Sequence, residues 1–368
     1  MENPRTITDL PYEILDLIFK NLVYLKYKVN LSQAHEKLGK AFAFHCRNKF
    51  RSLSPGAQLT AELWAILIQE CGPTIEEYVY GDSGYSWNDL IAEAVVTHCP
   101  NLKSVSIRLF MSGQVGVPAF LKKLKSTLKS VKIDQQDYFP ATVLAVVGEM
   151  TQLQTLSFKG YVDENVHHVE KCIALEKLSI EHVSHWEKPP VNLLRICASL
   201  RNLRVLSLNK IKIMPFEEPH SNMWVGLKTL TLDFCEFSEG LPDCPELKKL
   251  DIHYPRCHTE GYSFKFILKN GRNLHTLYEK CEPPIDAEGF LQLLRSCPKL
   301  RYLYTRMEFI KLYSAYVSRI IAILETNGVT REDPLELVIC RRIKWKWFKR
   351  LLLRTPNAEL IDLYEGTG

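Results

Sequence analysis

Apolar residues recur along most of this chain in a frame of three positions, with the second three residues after the first and the third two residues further on. The clearest copy is Leu203-x-x-Leu206-x-Leu208, in which Ser207 separates the last two apolar residues. Alternation of apolar and polar residues over a short run predicts a β-strand with one buried face. The frame also begins at Leu102, Leu128, Leu153, Leu175, Leu227 and Leu247, with weaker copies at Ile75, Leu274, Leu300 and Leu360 and an uncertain one near Leu335.

The spacing of these copies indicates a repeat architecture. From Leu102 to Leu300, successive first positions are 20 to 28 residues apart, which is the period of a leucine-rich repeat. We therefore predict an α/β fold over residues 60–366, a leucine-rich-repeat solenoid of about eleven irregular repeats. Its parallel sheet would line the concave side of a horseshoe arc and its helices the convex side. A cysteine three residues before the first position fixes the register in four copies, at Cys99, Cys172, Cys244 and Cys297.

The segments between strands are predicted to return mostly as helices. Pro140 and Pro190 stand where helices would begin. The repeat from Leu227 has only 20 residues and contains Gly240, so a turn is expected there. Cys235 occupies the place where many leucine-rich repeats use Asn or Cys to hydrogen-bond the turn. Helical segments are predicted at 117–126, 140–150, 163–172, 190–199, 262–270, 286–297 and 313–326.

The first fifty residues follow a helical pattern instead. Apolar residues at Ile14, Leu15, Ile18, Phe19 and Leu22 have the i, i+3, i+4 spacing of an amphipathic helix. Two further helices are expected at 29–37 and 40–53, with the glycine at position 39 as the break between them. This helical module, residues 5–53, either leaves an apolar face for a partner or caps the first repeat.

The stretch Leu10-Pro11-x-Glu13-Ile14-Leu15-x-x-Ile18-Phe19-x-x-Leu22 closely resembles the start of an F-box, and the resemblance extends to about residue 53. With the repeats, the chain resembles an F-box/leucine-rich-repeat protein, similar in style to the insect members. The resemblance implies a substrate receptor of an SCF ubiquitin ligase. In that family the F-box binds the Skp adaptor and through it a cullin ligase, while the repeats bind a protein target for ubiquitin-dependent proteasomal degradation. The adaptor contacts implied here are Leu10, Pro11, Ile14, Leu15, Ile18 and Phe19.

The second half of the module departs from the F-box pattern. Family members often have Val-Cys-x-x-Trp there, whereas this chain offers Ala34, Leu38, Phe42 and Phe44, with no Trp. An alternative therefore stays open: an intracellular leucine-rich-repeat scaffold or inhibitor that binds a partner without recruiting a ligase. Binding of the Skp adaptor separates these two interpretations.

The solvent-facing strand positions change in character along the repeats. In the middle they are small, as at Ser179 and Ser207, and toward the C-terminus they become aromatic and basic. Tyr and Arg are enriched at binding hot spots, although Tyr also suits any sheet surface. The sequence predicts that the unknown protein target binds at Tyr278, Tyr302, Tyr304 and Arg306.

The basic segment 341–350, RRIKWKWFKR, allows three interpretations. It could contact an anionic membrane, bind a nucleic-acid backbone or form the last helix of the repeats. Ile343, Trp347 and Leu351 recur at i, i+4 and i+8, and Phe348 with Leu352 widens this face. The pattern favours a helix with these apolar residues inward and its basic residues mostly toward solvent. We accordingly expect neither a membrane nor a nucleic acid among the partners.

Composition sets further bounds. The 47 basic and 42 acidic residues give a net charge of +5, too small an excess to indicate nucleic acid. With no signal-like segment at the N-terminus, the eleven cysteines are expected as reduced, mostly buried thiols of a cytoplasmic or nuclear protein. We expect no cofactor, no metal site and no catalytic residue, hence a non-catalytic subunit.

Gly81-Asp-Ser-Gly84 matches a serine-protease segment in four residues only, and a catalytic triad is recognised by its geometry.

Overall fold

The computed structural model describes residues 6–80, 87–109, 116–135, 141–184, 189–214, 224–237, 240–281 and 283–366. The chain forms two compact units, Met1–Tyr161 and Val162–Gly368. The protease-like segment from Gly81 to Gly84 lies outside the described ranges.

Three helices open the first unit: α1 (Tyr12–Asn21), α2 (Leu25–Ser32) and α3 (Glu36–Cys46). Pro11 stands at the N-cap of α1, where its missing N–H deprives the helix of no hydrogen bond. Leu15 and Phe19 of α1 are buried, and the ring of Phe19 lies 5.4 Å from that of Phe42 in α3. The predicted amphipathic helix is therefore present, but only Leu15 and Phe19 of its apolar stripe are buried, whereas Ile14 is exposed and Ile18 and Leu22 are half-buried.

The predicted boundaries of the second and third helices are wrong. The break falls at residues 33–35, because the imidazole of His35 caps α3 by accepting the N–H of Lys37 at 3.0 Å. Gly39 lies inside α3, and a Cβ there would come within 3.0 Å of the Glu70 carboxylate on the next helix, α4 (Ala61–Cys71). Gly39 thus permits close packing of two helices. The chain leaves α3 at Cys46, and residues predicted as helical form strand β1 (Ser52–Leu53).

The first unit continues as a parallel sheet in the order β1-β2-β3-β4-β5. The register sets equivalent frame positions side by side, since Val105 pairs with Val131 and Val131 with Leu156. All three side chains are buried. The elements after β1 and α4 are strands β2 (Glu77–Tyr80), β3 (Ser104–Leu109), β4 (Ser130–Gln135) and β5 (Thr155–Gly160) and helices α5 (Asp89–His98), α6 (Gly116–Lys123) and α7 (Val143–Val147).

The second unit has the same plan. Its strands are β6 (Lys177–His182), β7 (Pro190–Val191), β8 (Val205–Asn209), β9 (Lys212–Ile213), β10 (Thr229–Asp233), β11 (Glu236–Phe237), β12 (Lys249–His253), β13 (Arg256–Cys257), β14 (Thr276–Lys280), β15 (Tyr302–Thr305), β16 (Leu335–Ile339) and β17 (Ile361–Glu365). Its helices are α8 (Leu193–Cys197), α9 (Tyr262–Asn270), α10 (Ala287–Ser296), α11 (Ser314–Thr326) and α12 (Arg342–Leu352). The main sheet runs β6-β8-β10-β12-β14-β15-β16-β17, all parallel.

The frame positions build the core of this sheet. Leu206, Leu230, Leu250 and Leu277 lie in register on four adjacent strands and are fully buried. Each buried leucine contributes about 1.5–3 kcal/mol relative to an exposed one. The predicted leucine-rich-repeat fold class, parallel strands flanked by helices, is confirmed. Every weaker copy also forms a strand, and near Leu335 the register places Leu337 and Ile339 at the second and third positions.

The connections mostly match the prediction. Helices or helical turns lie in all seven predicted segments, with 164–171 forming a 3₁₀ helix. The prediction for 190–199 is partly wrong, because β7 precedes α8. In four successive repeats, β7, β9, β11 and β13 make a second parallel sheet of two-residue strands. Two of these repeats also carry a helix, α8 after β7 and α9 after β13. At the position predicted to hydrogen-bond the turn, the buried thiol of Cys235 donates to the carbonyl of Leu208 in the adjacent strand β8 at 3.3 Å.

The inward face predicted for the last helix is only partly correct. Phe348 and Leu352 are buried as predicted and Leu351 is half-buried, whereas Ile343 and Trp347 are exposed. The buried face is therefore narrower than the set of apolar positions, a limit that periodicity alone does not give. Within the described part of the chain, no helix is both long enough and apolar enough to cross a bilayer.

Candidate functional site

The helical module presents an apolar surface on the side of α1 that faces away from α3. Leu15 and Phe19 are 1% and 0% exposed, so they hold α1 in place and are not open to a partner. The other residues that the F-box resemblance implied reach the surface: Leu10 and Ile18 are half-buried, and Pro11 and Ile14 are exposed. We call this surface the outer α1 face, formed by Ile7, Leu10, Pro11, Ile14, Leu17 and Ile18; Tyr12 lies on the other side, with its ring stacked on that of Phe44 in α3 at 6.2 Å.

Several exposed apolar residues of this region were missed in the sequence. Tyr12 and Leu17 are exposed on α1 itself, and Val23, Tyr24 and Tyr27 are exposed where α1 passes into α2. The rings of Tyr24 and Tyr27 contact each other edge to face, with centroids 5.7 Å apart. Ile14, Leu17 and Ile18 have helical i, i+3, i+4 spacing, so a second apolar stripe was detectable beside the first.

A buried ionisable group links α1 to α3. The Nδ1 atom of His45 lies 2.7 Å from Oδ1 of Asp16, and its Nε2 lies 2.6 Å from Nζ of Lys49. Burial lowers the pKa of His45, and this effect outweighs the hydrogen bond that Nδ1 donates to the Asp16 carboxylate, which raises the pKa. The imidazole is therefore neutral near pH 7, donating through Nδ1 and accepting from Lys49. This linkage fixes the side of α1 that faces α3, and hence the side left outside.

The module is attached to the repeats through its second and third helices. Helices α2 and α3 both pack against α4, the first helix of the repeats, while α1 packs on α3. Covering the end of the repeats is thus accounted for by α2 and α3. A cap alone would leave the apolar residues of the outer α1 face unexplained.

The second surface lies on the sheet of the second unit. The structure brings Tyr278, Tyr302 and Tyr304 together, with ring centroids 5.0 Å apart for Tyr278 and Tyr302 and 5.7 Å apart for Tyr278 and Tyr304. Lysine ammonium groups lie over two of the rings, Lys249 at 5.4 Å from Tyr278 and Lys280 at 5.0 Å from Tyr304. We call the three tyrosines the tyrosine cluster.

The predicted target residues differ in their access to solvent. Tyr278 and Tyr302 are half-buried, whereas Tyr304 is only 9% exposed and the Arg306 side chain only 14%. The guanidinium of Arg306 donates from Nη2 to the carbonyl of Cys281 at 2.9 Å. Tyr278 and Tyr302 are therefore placed to touch a partner, and Tyr304 and Arg306 mainly support them.

Beneath the cluster lies a carboxylate that the sequence frame does not anticipate. Glu279 occupies the third frame position of β14 and is buried. It accepts the N–H of Cys281 and the hydroxyl of Thr305, each at 2.8 Å. Burial raises the pKa of Glu279, and the charge of Arg306 acts in the opposite direction. A buried carboxylate of this kind depends on such partners.

Two further aromatic residues, missed in the sequence, extend this surface. Phe234 and Tyr254 directly follow β10 and β12 with φ of 50° and 45°, and their rings stack at 5.3 Å. The guanidinium of Arg306 and the ammonium of Lys280 each lie 5.5 Å from the Tyr254 ring. The left-handed conformation lets each N–H donate to the last residue of the next strand. Phe234 and Tyr254 each stand seven residues after the first leucine of their frame, and this spacing could have identified both residues in the sequence.

Charge changes sign along the carboxyl ends of the strands. Glu181, Asn209, Asp233, His253 and Lys280 pair in register on five adjacent strands. Acidic groups thus lie at one end and basic groups beside the tyrosine cluster. Burial raises the pKa of Asp233, and the nearby His253 lowers it by a smaller amount. Such a surface favours a partner with complementary charges in a fixed orientation.

In the described ranges, no three His, Cys, Asp or Glu side chains are arranged to hold a metal ion. All eleven cysteines are free. Burial raises the pKa of thiols such as Cys99 and Cys172 to about 12, which makes them poor nucleophiles.

Comparison with known proteins adds little beyond the fold. No protein-family model matches the chain, and no curated protein matches it. Solved structures that match include an internalin of Listeria monocytogenes, with 14% identity and a TM-score of 0.48 over 99% of this chain and 100% of that one. A chain of the mouse RP105/MD-1 complex matches with 12% identity and a TM-score of 0.46 over 84% of this chain and 54% of that one. A chain of the yeast Rad7–Elc1 complex has 14% identity and a TM-score of 0.49 over 89% of this chain and 88% of that one. At these values the similarities carry no argument about what the chain binds.

Proposed function

We propose that this chain is a non-catalytic substrate receptor of an SCF-type ubiquitin ligase. Residues 5–53 act as the F-box and bind the Skp adaptor, which links the chain to a cullin. The repeats of residues 60–366 hold the target protein. The mechanism is proximity, because tethering raises the local concentration of target lysines near the charged ubiquitin carrier.

The observation that carries this proposal is the outer α1 face. Its exposed aliphatic side chains surround a helix whose inner residues, Leu15 and Phe19, already fill the core of the module. Contiguous exposed apolar side chains of this kind mark an interaction site. The F-box resemblance names an adaptor as the occupant, and four of its six implied contacts lie at the surface.

The target would bind across the tyrosine cluster. Tyr278 and Tyr302 supply large, rigid contact area, and the ammonium groups of Lys249 and Lys280 lie over rings of the cluster. The aromatic stack of Phe234 and Tyr254 continues the same surface.

The test is recovery of the tagged chain from cells of a closely related species, with quantitative mass spectrometry of the co-purifying proteins. We expect the Skp adaptor and a cullin in stoichiometric amounts with the wild type, and their loss with Ile14→Asp combined with Leu17→Asp. A control variant, Leu90→Asp combined with Ile173→Asp, changes two exposed aliphatic residues of the repeats and should keep both proteins. Recovery of a partner without adaptor or cullin would instead favour a scaffold or inhibitor.

A further inference from the structure

The last helix carries a surface that the proposed receptor function does not use. Residues 341–354 include seven Lys or Arg and no Asp or Glu. With Phe348 and Leu352 buried against the repeats, the outward side presents Ile343 at 72% exposure, Trp347 at 55% and Leu353 at 76%. A helix face that contacts only water is not expected to expose several large apolar side chains among its basic residues.

Part of the positive charge of this helix is available to a ligand. Arg342 pairs with Glu365 at 3.5 Å, and Lys349 lies over the Trp345 ring at 5.0 Å. Near its start, Arg341 pairs with Glu308 at 2.6 Å, and Lys344 donates to the Ile310 carbonyl at 2.7 Å. Further along, Lys346, Arg350 and Arg354 form no ion pair with any residue in the described part of the chain. The anchored residues orient the helix, and the others face outward.

The exposed apolar and basic residues form one surface. Ile343 and Trp347 are one helical turn apart, as are Lys346 and Arg350, so the members of each pair lie within about 6 Å of each other. Phe309, which is 66% exposed, lies between Glu308 and Ile310, the two residues that contact the start of α12. The surface therefore reaches from that loop to the end of the helix.

We propose that this outward face of α12 binds the surface of an anionic phospholipid bilayer. The positive charge of Lys346, Arg350 and Arg354, which form no ion pair within the described residues, selects an anionic partner. The exposed aliphatic side chains of Ile343 and Leu353 gain by leaving water only if the partner offers hydrocarbon, which a nucleic-acid backbone does not. Trp347 would lie at the headgroup level, where indole is favoured, and Lys346, Arg350 and Arg354 would contact lipid phosphates. The sequence analysis expected no membrane among the partners, so this proposal replaces that expectation. It does not depend on the proposed receptor function.

The test is sedimentation of the full-length protein with vesicles of phosphatidylcholine alone or mixed with phosphatidylserine. We expect binding only to the mixed vesicles, weakened by salt. Ile343→Ser with Leu353→Ser, and separately Lys346→Glu with Arg350→Glu, should each lower the apparent affinity by about tenfold or more. Lys122→Glu with Lys123→Glu makes the same charge change on exposed positions of α6 and should bind as the wild type does.

A second readout locates the contact. Brominated lipids should quench part of the tryptophan fluorescence of the wild type, and that quenching should be lost in Trp347→Phe. Circular dichroism checks that each variant is folded. The proposal is overturned if phosphatidylserine does not increase binding to the vesicles, or if the α12 variants bind the mixed vesicles as tightly as the wild type does. It is equally overturned if single-stranded or duplex oligonucleotides bind through α12 while vesicles do not.

Discussion

Arg306 lies at the tyrosine cluster, and its replacement by Met should destabilise the second unit rather than only alter its surface. Its side chain is 14% exposed and donates to the Cys281 carbonyl at 2.9 Å. It is also the positive charge that offsets the buried Glu279 carboxylate. Met retains much of the aliphatic length of Arg, so the substitution removes mainly the charge and the hydrogen bonds.

The expected cost follows from these contacts. Losing a hydrogen bond that involves a charged group costs about 1.5–3 kcal/mol, and removing one partner of a fully buried ion pair costs about 3–5 kcal/mol. Arg306 is not fully buried, and Thr305 and Cys281 still donate to Glu279. We therefore expect a loss of about 2–4 kcal/mol. For a cooperative unit of about 200 residues, this lowers the melting temperature by roughly 5–10 °C.

The loss should depend on pH in a defined direction. Burial raises the pKa of Glu279, so in the folded state its proton is held more tightly than in the unfolded state. Stability contributed by this group is present at low pH and is lost as pH rises through the folded-state pKa. Removing Arg306 raises that pKa further. The deficit of Arg306→Met should accordingly be larger near pH 8 than near pH 5.5.

The assay is thermal unfolding, followed by near-ultraviolet circular dichroism at both pH values. Lys280→Met is the matched control, because Lys280 contacts the same aromatic rings but is not tied to Glu279. Combining Glu279→Gln with Arg306→Met should recover part of the lost stability. In that double variant the remaining deficit should no longer differ between the two pH values. If Arg306→Met behaves like Lys280→Met at both pH values and shows no coupling to Glu279→Gln, Arg306 is a surface residue available to the target.

Two further predictions test the core. Leu250→Ala should cost about 2–5 kcal/mol in urea unfolding, because its side chain lies between Leu230 and Leu277. Lys249→Ala, on the opposite face of the same strand, should cost about 0.5 kcal/mol or less, and equal effects would refute the inward register. A thiol reagent such as DTNB should modify Cys257 and Cys340 first, since the other nine cysteines are buried. Peptide mapping that finds prompt modification of Cys99 would contradict this order.

The strands were predictable because the leucine frame records burial directly. A strand exposes alternate residues, so each Leu-x-x-Leu-x-Leu copy states which side chains face inward. The register of Leu206, Leu230 and Leu250 follows from aligning the copies. Helix termini were less predictable, as at Gly39, where a contact with Glu70 makes glycine useful inside a helix.

The surfaces were only partly predictable, because exposure depends on what packs beside each element. The tyrosine cluster was visible as alternate strand positions, but the burial of Tyr304 and the bond from Arg306 to Cys281 were not. In α12, the predicted inward face is too wide, because Phe348 and Leu352 are buried whereas Ile343 and Trp347 are exposed. Periodicity shows that a helix is amphipathic, but it does not always show which of the apolar residues are buried.

The most direct test of the receptor function is the affinity of the purified chain for the purified Skp adaptor, measured by isothermal titration calorimetry. Two charges placed on the outer α1 face, Ile14→Asp with Leu17→Asp, should lower the affinity by about 100-fold or more, because each loses a desolvated apolar contact. Leu90→Asp with Ile173→Asp should bind as the wild type does. We expect a one-to-one complex with the wild type and the control variant, and no such complex with the α1 variant. The receptor function is contradicted if the folded wild type does not bind the adaptor, or if both variants bind the adaptor equally well.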